Sequence, residues 1–276
     1  MKVYTAANIR NVALVGHSGS GKTQLASAML FDAGMVDRLG TVDDGTTVTD
    51  CDEEEIARKH TLASSAAYTE WSKVKINIID TPGIANFLSD TRAAMRVADA
   101  AIVVVDAVAG VEVQTENVWN IAKELDLPCL VVLNRLDRER ASLDRSLTSL
   151  REICGREVVP IQLPIGEEQD FGGIVDLVAM KAITFAPTGT REPSDVDTPV
   201  GMADTATTAR EALIEMVAEA DDSLMEQFFE AGTLSQNELE RGLRTAVTSR
   251  RIFPLVCTSA GTNVGIQTFL DAIRTY

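Results

Sequence analysis

Over its first 160 residues the chain alternates short apolar runs with amphipathic stretches. Strands are predicted at residues 11–15, 74–79, 101–105 and 129–133. Helical spacing is predicted between them at 23–32, 86–97, 113–125 and 143–153. Strands this apolar, separated by helices of this length, imply a mostly parallel sheet with helices on both faces. A last strand and helix, 252–257 and 264–274, close the same pattern. The stretch from 158 to 250 breaks the rhythm. Residues 174–185 read as strand. Residues 186–208 are rich in Pro, Gly, Thr and Asp and read as an exposed loop. A helix follows, with Leu213, Met216, Val217, Ala220, Leu224 and Phe228 on one stripe and acids opposite.

Charge sharpens this division. The 276 residues carry 41 Asp plus Glu and 25 Lys plus Arg, a net −16. Residues 158–250 hold 17 of the acids and 6 of the bases, so the rest of the chain is only mildly acidic. The acids of the 158–250 helix fit a solvated face or a surface for a basic partner. A field this negative excludes polyanion binding by bulk charge, so any bound phosphate needs a local device. The 5% aromatic content argues against a base-stacking platform. No apolar signal core opens the chain, and no uncharged run approaches the roughly 18 residues of a membrane span. A cytoplasmic protein without membrane contact is expected. Four scattered cysteines and two histidines fit free buried thiols rather than a zinc site.

Four motifs carry chemistry. Residues 16–23, GHSGSGKT, satisfy G-x-x-x-x-G-K-[ST] directly after a predicted strand and at the start of a helix. Backbone N–H groups of His17, Ser18, Gly19, Ser20 and Gly21 would cradle phosphates there. Lys22 would reach the β- and γ-phosphates, and Thr23 would ligate Mg²⁺. The side chain of His17 receives no role. Asp80-Thr81-Pro82-Gly83 ends the second strand. Alone it is an ordinary turn; after a phosphate loop, Asp80 becomes a metal-site carboxylate and Gly83 a γ-phosphate sensor. Asn134-Arg135-Leu136-Asp137 is close to N-K-x-D. Alone it could be a helix cap; third in this order it points to guanine, with Asp137 accepting from the base and Arg135 stacking along it. Thr258-Ser259-Ala260 ends the last strand, where the amides of Ser259 and Ala260 could support the guanine O6. An adenine-nucleotide kinase or ATPase is the weaker option.

With these motifs in order, the chain resembles the GTPase domain of the translational GTPases, most closely elongation factor G and its paralogues. The resemblance covers essentially all 276 residues and extends to GVEVQTENVWNIAKELDLP, VVPIQLPIGEEQDFGGIVDLVAMKAI and TSAGTNVGIQTFLDAI. It implies an α/β P-loop NTPase fold with a small α+β inserted subdomain. Residues 1–157 and 251–276 would form the GTP-binding domain and 158–250 the acidic insert. It implies GTP or GDP with Mg²⁺, a ribosome partner engaged mainly through further domains, and a monomer. It also aligns Arg58-Lys59-His60-Thr61 with the first switch, so Thr61 becomes the candidate for closing over Mg²⁺ and the γ-phosphate; residues alone do not separate it from Thr46, Thr47 or Thr49. Three positions depart from the family. Ile84 stands where a water-positioning His is usual, no acid stands at position 19, and Arg135 replaces Lys. These point toward an elongation-factor-G-like paralogue, and a chain ending at Tyr276 toward the front part of a longer protein. The expected activity is ribosome-stimulated GTP hydrolysis with slow intrinsic turnover, Lys22, Thr61 and Gly83 acting at the γ-phosphate. The alternative is a nucleotide-gated binding module that hydrolyses little or nothing.

Overall fold

The computed structural model describes residues 2–185 and 193–276. Its large sheet has 7 strands in the order β2-β3-β1-β4-β5-β11-β6. These are β1 (Ile9–Val15), β2 (Ser65–Trp71), β3 (Val74–Asp80), β4 (Ala100–Asp106), β5 (Cys129–Asn134), β6 (Val158–Pro160) and β11 (Phe253–Cys257). All neighbours run parallel except the hairpin β2–β3. Helices α1 (Lys22–Asp32), α3 (Leu88–Val97), α4 (Val113–Glu124), α5 (Leu143–Cys154) and α9 (Ile266–Thr275) cover the two faces. The short helix α2 (Glu53–Arg58) lies in the segment between α1 and β2.

The buried half of strand β1, residues 12–15, shows why the pattern reads as apolar at consecutive positions. Val12 and Leu14 enter one core cluster with Leu25, Met29 and Phe269. Ala13 and Val15 enter the other with Val103, Trp119 and Leu150. Successive side chains of a strand point to opposite faces, so a strand covered on both sides is apolar throughout. Strand β2 escapes that reading. It sits at the sheet edge with mostly part-exposed residues, and its sequence SAAYTEW carries little apolar signal.

Between β6 and β11 lie a small antiparallel sheet, β7 (Gln162–Ile165), β8 (Gly173–Asp176), β9 (Lys181–Thr184) and β10 (Ser194–Val196), and three helices, α6 (Ala203–Glu219), α7 (Asp222–Ala231) and α8 (Gln236–Thr248). Hydrogen bonding assigns Val158–Pro160 to the large sheet, so the smaller unit begins after Pro160. The expected strand at 174–185 is a hairpin. Asp176 accepts hydrogen bonds from the N–H groups of Val178 and Ala179, and Met180 takes φ 53°. The expected loop at 186–208 differs as well. Residues 186–192 lie outside the described residues, Ser194–Val196 pairs with β9, and α6 already begins at Ala203. The single expected helix breaks at Asp221, whose carboxylate accepts from the N–H groups of Ser223 and Leu224 and caps α7. The apolar stripe spans both helices because they pack as a hairpin: Leu213, Val217 and Leu224 share one cluster with Leu239 and Leu243 of α8.

Three of the four cysteines are buried as expected, but Cys51 is exposed, in the polar segment just ahead of α2. Burial pushes the Cys129 and Cys154 thiols up to about 12 and raises that of Cys257 too. Titration of the native protein with a thiol-specific disulfide reagent at pH 8 is expected to label one cysteine rapidly, with three more reacting only on unfolding. Cys51→Ser should abolish the fast phase.

Candidate functional site

The site lies where β1, β3, β5 and β11 end on the same edge of the sheet, the edge on which loops after parallel strands converge. A cleft of about 460 Å³ opens there, lined by Ser18, Lys22, Thr23, Thr61, Gly83, Arg135 and Asp137, among others. Three separated sequence motifs and the candidate first switch thus share one cavity.

The loop 16–21 turns sharply into α1. Gly21 is the N-cap at φ 91°, in the left-handed region, and no side chain caps the helix. Its first N–H groups are left for a ligand, and the positive end of the helix dipole adds to them. A side chain at Gly21 would also collide with the amide of Asn134. Lys22 is buried, its Nζ donating to the carbonyl oxygens of Gly16 (3.1 Å) and His17 (2.8 Å). Burial brings its ammonium down to about 8, opposed by the nearby carboxylates of Asp80 and Asp50. Gly83 closes on the same loop: a Cβ there would stand 2.6 Å from the Ser18 nitrogen and clash with Lys22 Nζ. The His17 side chain points elsewhere, its Nε2 3.4 Å from Glu112 Oε1.

Beside Lys22 lies a set of oxygen donors. Thr61 Oγ1 donates to Asp50 Oδ1 (2.8 Å) and sits 2.9 Å from Thr23 Oγ1. Thr49 Oγ1 donates to Asp80 Oδ2 (2.8 Å), while Asp80 Oδ1 is buried without a hydrogen-bond partner. Burial raises Asp80 to about 6 and also raises Asp50, in each case against a hydroxyl that donates to it. An orphaned carboxylate oxygen beside two threonine hydroxyls is a hard, all-oxygen donor set that fits Mg²⁺. Among the described residues no group of three His, Cys, Asp or Glu gathers anywhere.

Thr61 owes its position to a residue the sequence did not single out. Glu55, 3% exposed, pairs with Asp52 in a capping box on α2 and accepts from the N–H groups of Leu62 (2.8 Å) and Ala63 (3.2 Å). The segment that follows α2 is thereby pinned back onto that helix, and Thr61 meets α1 through Thr23. Gln24, also passed over, donates to Gly40 O (2.9 Å) and accepts from Val42 N–H (3.3 Å), holding the near end of the same segment.

At the other end, Asn134 works as a brace. Its Nδ2 donates to Ser20 O (2.9 Å), and its Oδ1 accepts from Ala260 N–H (3.0 Å) and Thr258 Oγ1 (3.3 Å). Ser259 Oγ donates to Asp137 Oδ1 (2.6 Å), which fixes the carboxylate of the N-R-L-D motif. The amide of Ser259 donates to Val264 O and that of Ala260 to Asn134, so both are engaged within the protein; Gly261 is the residue of this loop that lines the cleft.

Residues 7–276 match the family described as the elongation factor Tu GTP binding domain. A protein from Thermus thermophilus, known from its crystal structure, is similar over 98% of this chain, with 32% identity and a TM-score of 0.90. The match takes in 40% of that protein, so the chain spans about two fifths of its length. The motif order, the doubly covered sheet and the match over nearly the whole sequence agree: the chain belongs to the elongation factor Tu GTP-binding-domain family.

Proposed function

We propose that this chain is a Mg²⁺-dependent switch that hydrolyses GTP to GDP and phosphate in a ribosome-linked role. The observation that carries the reading is the sharing of one cleft by Lys22, Thr23, Thr61 and Gly83 at one end and Asp137 at the other. In this reading residues 1–160 and 251–276 form the nucleotide-binding body, with β6 paired into its sheet, and 161–250 an acidic insert. Main-chain N–H groups of residues 17–23 hold the phosphates, and the Lys22 ammonium turns from backbone carbonyls to the β- and γ-oxygens. Thr23, Thr61 and Asp80 would hold Mg²⁺, which when bound draws charge from the phosphate oxygens. Gly83 offers its amide to the γ-phosphate, coupling the segment after β3 to the presence of that group. Asp137, oriented by Ser259, accepts from the N1–H and exocyclic N–H₂ of guanine, while adenine would leave the carboxylate unpaired.

Ile84, half-buried at the start of a short 3₁₀ turn, is the feature that sets rate. An aliphatic side chain gives an attacking water neither a hydrogen bond nor charge stabilisation, so positioning must come from elsewhere. Family membership supports the ribosome as that source. The same side chain favours the second reading, a nucleotide-gated binder with little or no hydrolysis.

Lys22→Ala is expected to weaken GDP binding at least 100-fold while the protein stays folded, measured by fluorescence titration and circular dichroism. Asp137→Asn should lower GDP affinity by about 100-fold, the loss of charge-assisted bonds to the base, and raise xanthosine diphosphate affinity. Equal wild-type affinities for GDP and ADP would defeat the guanine assignment. Phosphate release from the full-length protein should be slow alone and rise at least tenfold with ribosomes; no release in either condition selects the binder.

A further inference from the structure

Asp106 ends β4 and stands in register with Asn134 on β5, yet it belongs to none of the four motifs. Its two carboxylate oxygens have separate partners. Oδ1 accepts from the N–H groups of Val108 (2.7 Å) and Ala109 (3.2 Å) and closes the turn after the strand. Oδ2 accepts from Arg135 Nη1 at 3.0 Å, with the Asp106 side chain only 13% exposed. Arg135 itself has a left-handed backbone, φ 65°, a conformation that side-chain-bearing residues adopt sparingly and that recurs where function dictates orientation. Its stem passes over the phosphate loop: Arg135 Nε lies 3.7 Å from where a Cβ on Gly21 would stand.

From this geometry we infer that Asp106 is a positioning residue for nucleotide binding, holding the Arg135 guanidinium in the plane along which the bound nucleoside lies. The inference rests on the guanine-nucleotide reading of the cleft. An unrestrained arginine has several rotatable bonds and must give up that freedom when a ligand stacks on it. The ion pair removes that freedom in advance, so the gain appears as affinity rather than selectivity. Asp106 touches no nucleotide in this account. Asp137 discriminates the base, and Asp106 sets how firmly any base at that place is gripped. The arrangement also explains why arginine serves where lysine is usual. A planar fork can bond to the carboxylate through one nitrogen and still present a flat face to the ligand, whereas an ammonium group offers no such face.

The test is a double-mutant cycle on the whole chain, read by titration with N-methylanthraniloyl-GDP. Asp106→Asn keeps an oxygen to close the turn and removes the charge facing Arg135. It should raise the GDP dissociation constant by about tenfold, equivalent to 1.4 kcal/mol, and leave the GDP-to-ADP preference within about twofold of wild type. Arg135→Met breaks the pair from the other side without touching the turn. In that background Asp106→Asn should add less than about twofold. The tenfold loss should also shrink in 1 M KCl, which screens a part-exposed pair. Affinity unchanged by Asp106→Asn, or an equal penalty in the Arg135→Met background, would overturn the assignment and leave Asp106 as a turn-closing residue. A wild-type protein that binds GDP no better than ADP would overturn the guanine reading itself, and this inference with it.

Discussion

The amide of Asn134 is the contact on which the geometry of the cleft depends. Three loops that meet nowhere in sequence are tied by one buried side chain, which donates to the carbonyl of Ser20 and accepts from Ala260 and Thr258. Each bond alone contributes about 1 kcal/mol, but a buried amide left half-satisfied costs more than that. The phosphate loop, the N-R-L-D segment and the 258–261 loop therefore hold one relative placement. Gly21 completes the arrangement, since any larger residue would push that amide away. The two ends of the cleft are set by the same atoms.

Legibility in the sequence followed burial. Strands covered on both faces, such as β4 and β5, are apolar at nearly every position and could be read directly. The edge strand β2 could not, because one side of it meets solvent and its pairing with β3 is a tertiary fact. The hairpin of α6 and α7 read as one helix because its apolar stripe runs through the break; the signal for the break was Asp221 followed by an acid and Ser223, a cap pattern inside a helical period.

The site was legible where function imposes contiguous motifs and obscure where it does not. Lys22, Thr23, Asp80 and Asp137 stand in short strings with fixed spacing. Asp50, Glu55 and Asp106 act through partners 11, 7 and 29 positions away, distances no local pattern encodes. Thr61 was picked out by resemblance rather than by its neighbours, and the contacts that distinguish it from Thr46, Thr47 and Thr49 are those to Thr23 and Asp50.

The continuous apolar cluster has a mechanical consequence. Leu25 and Met29 behind the phosphate loop belong to the same packed set as Leu213, Val217 and Leu243 of the 161–250 unit. Close-packed interiors transmit displacement rather than absorb it. A displacement of α6 to α8 therefore meets the same packed core that backs α1 instead of being taken up in a separate layer. The inserted unit and the helix that opens at the cleft share one core rather than packing as separate bodies.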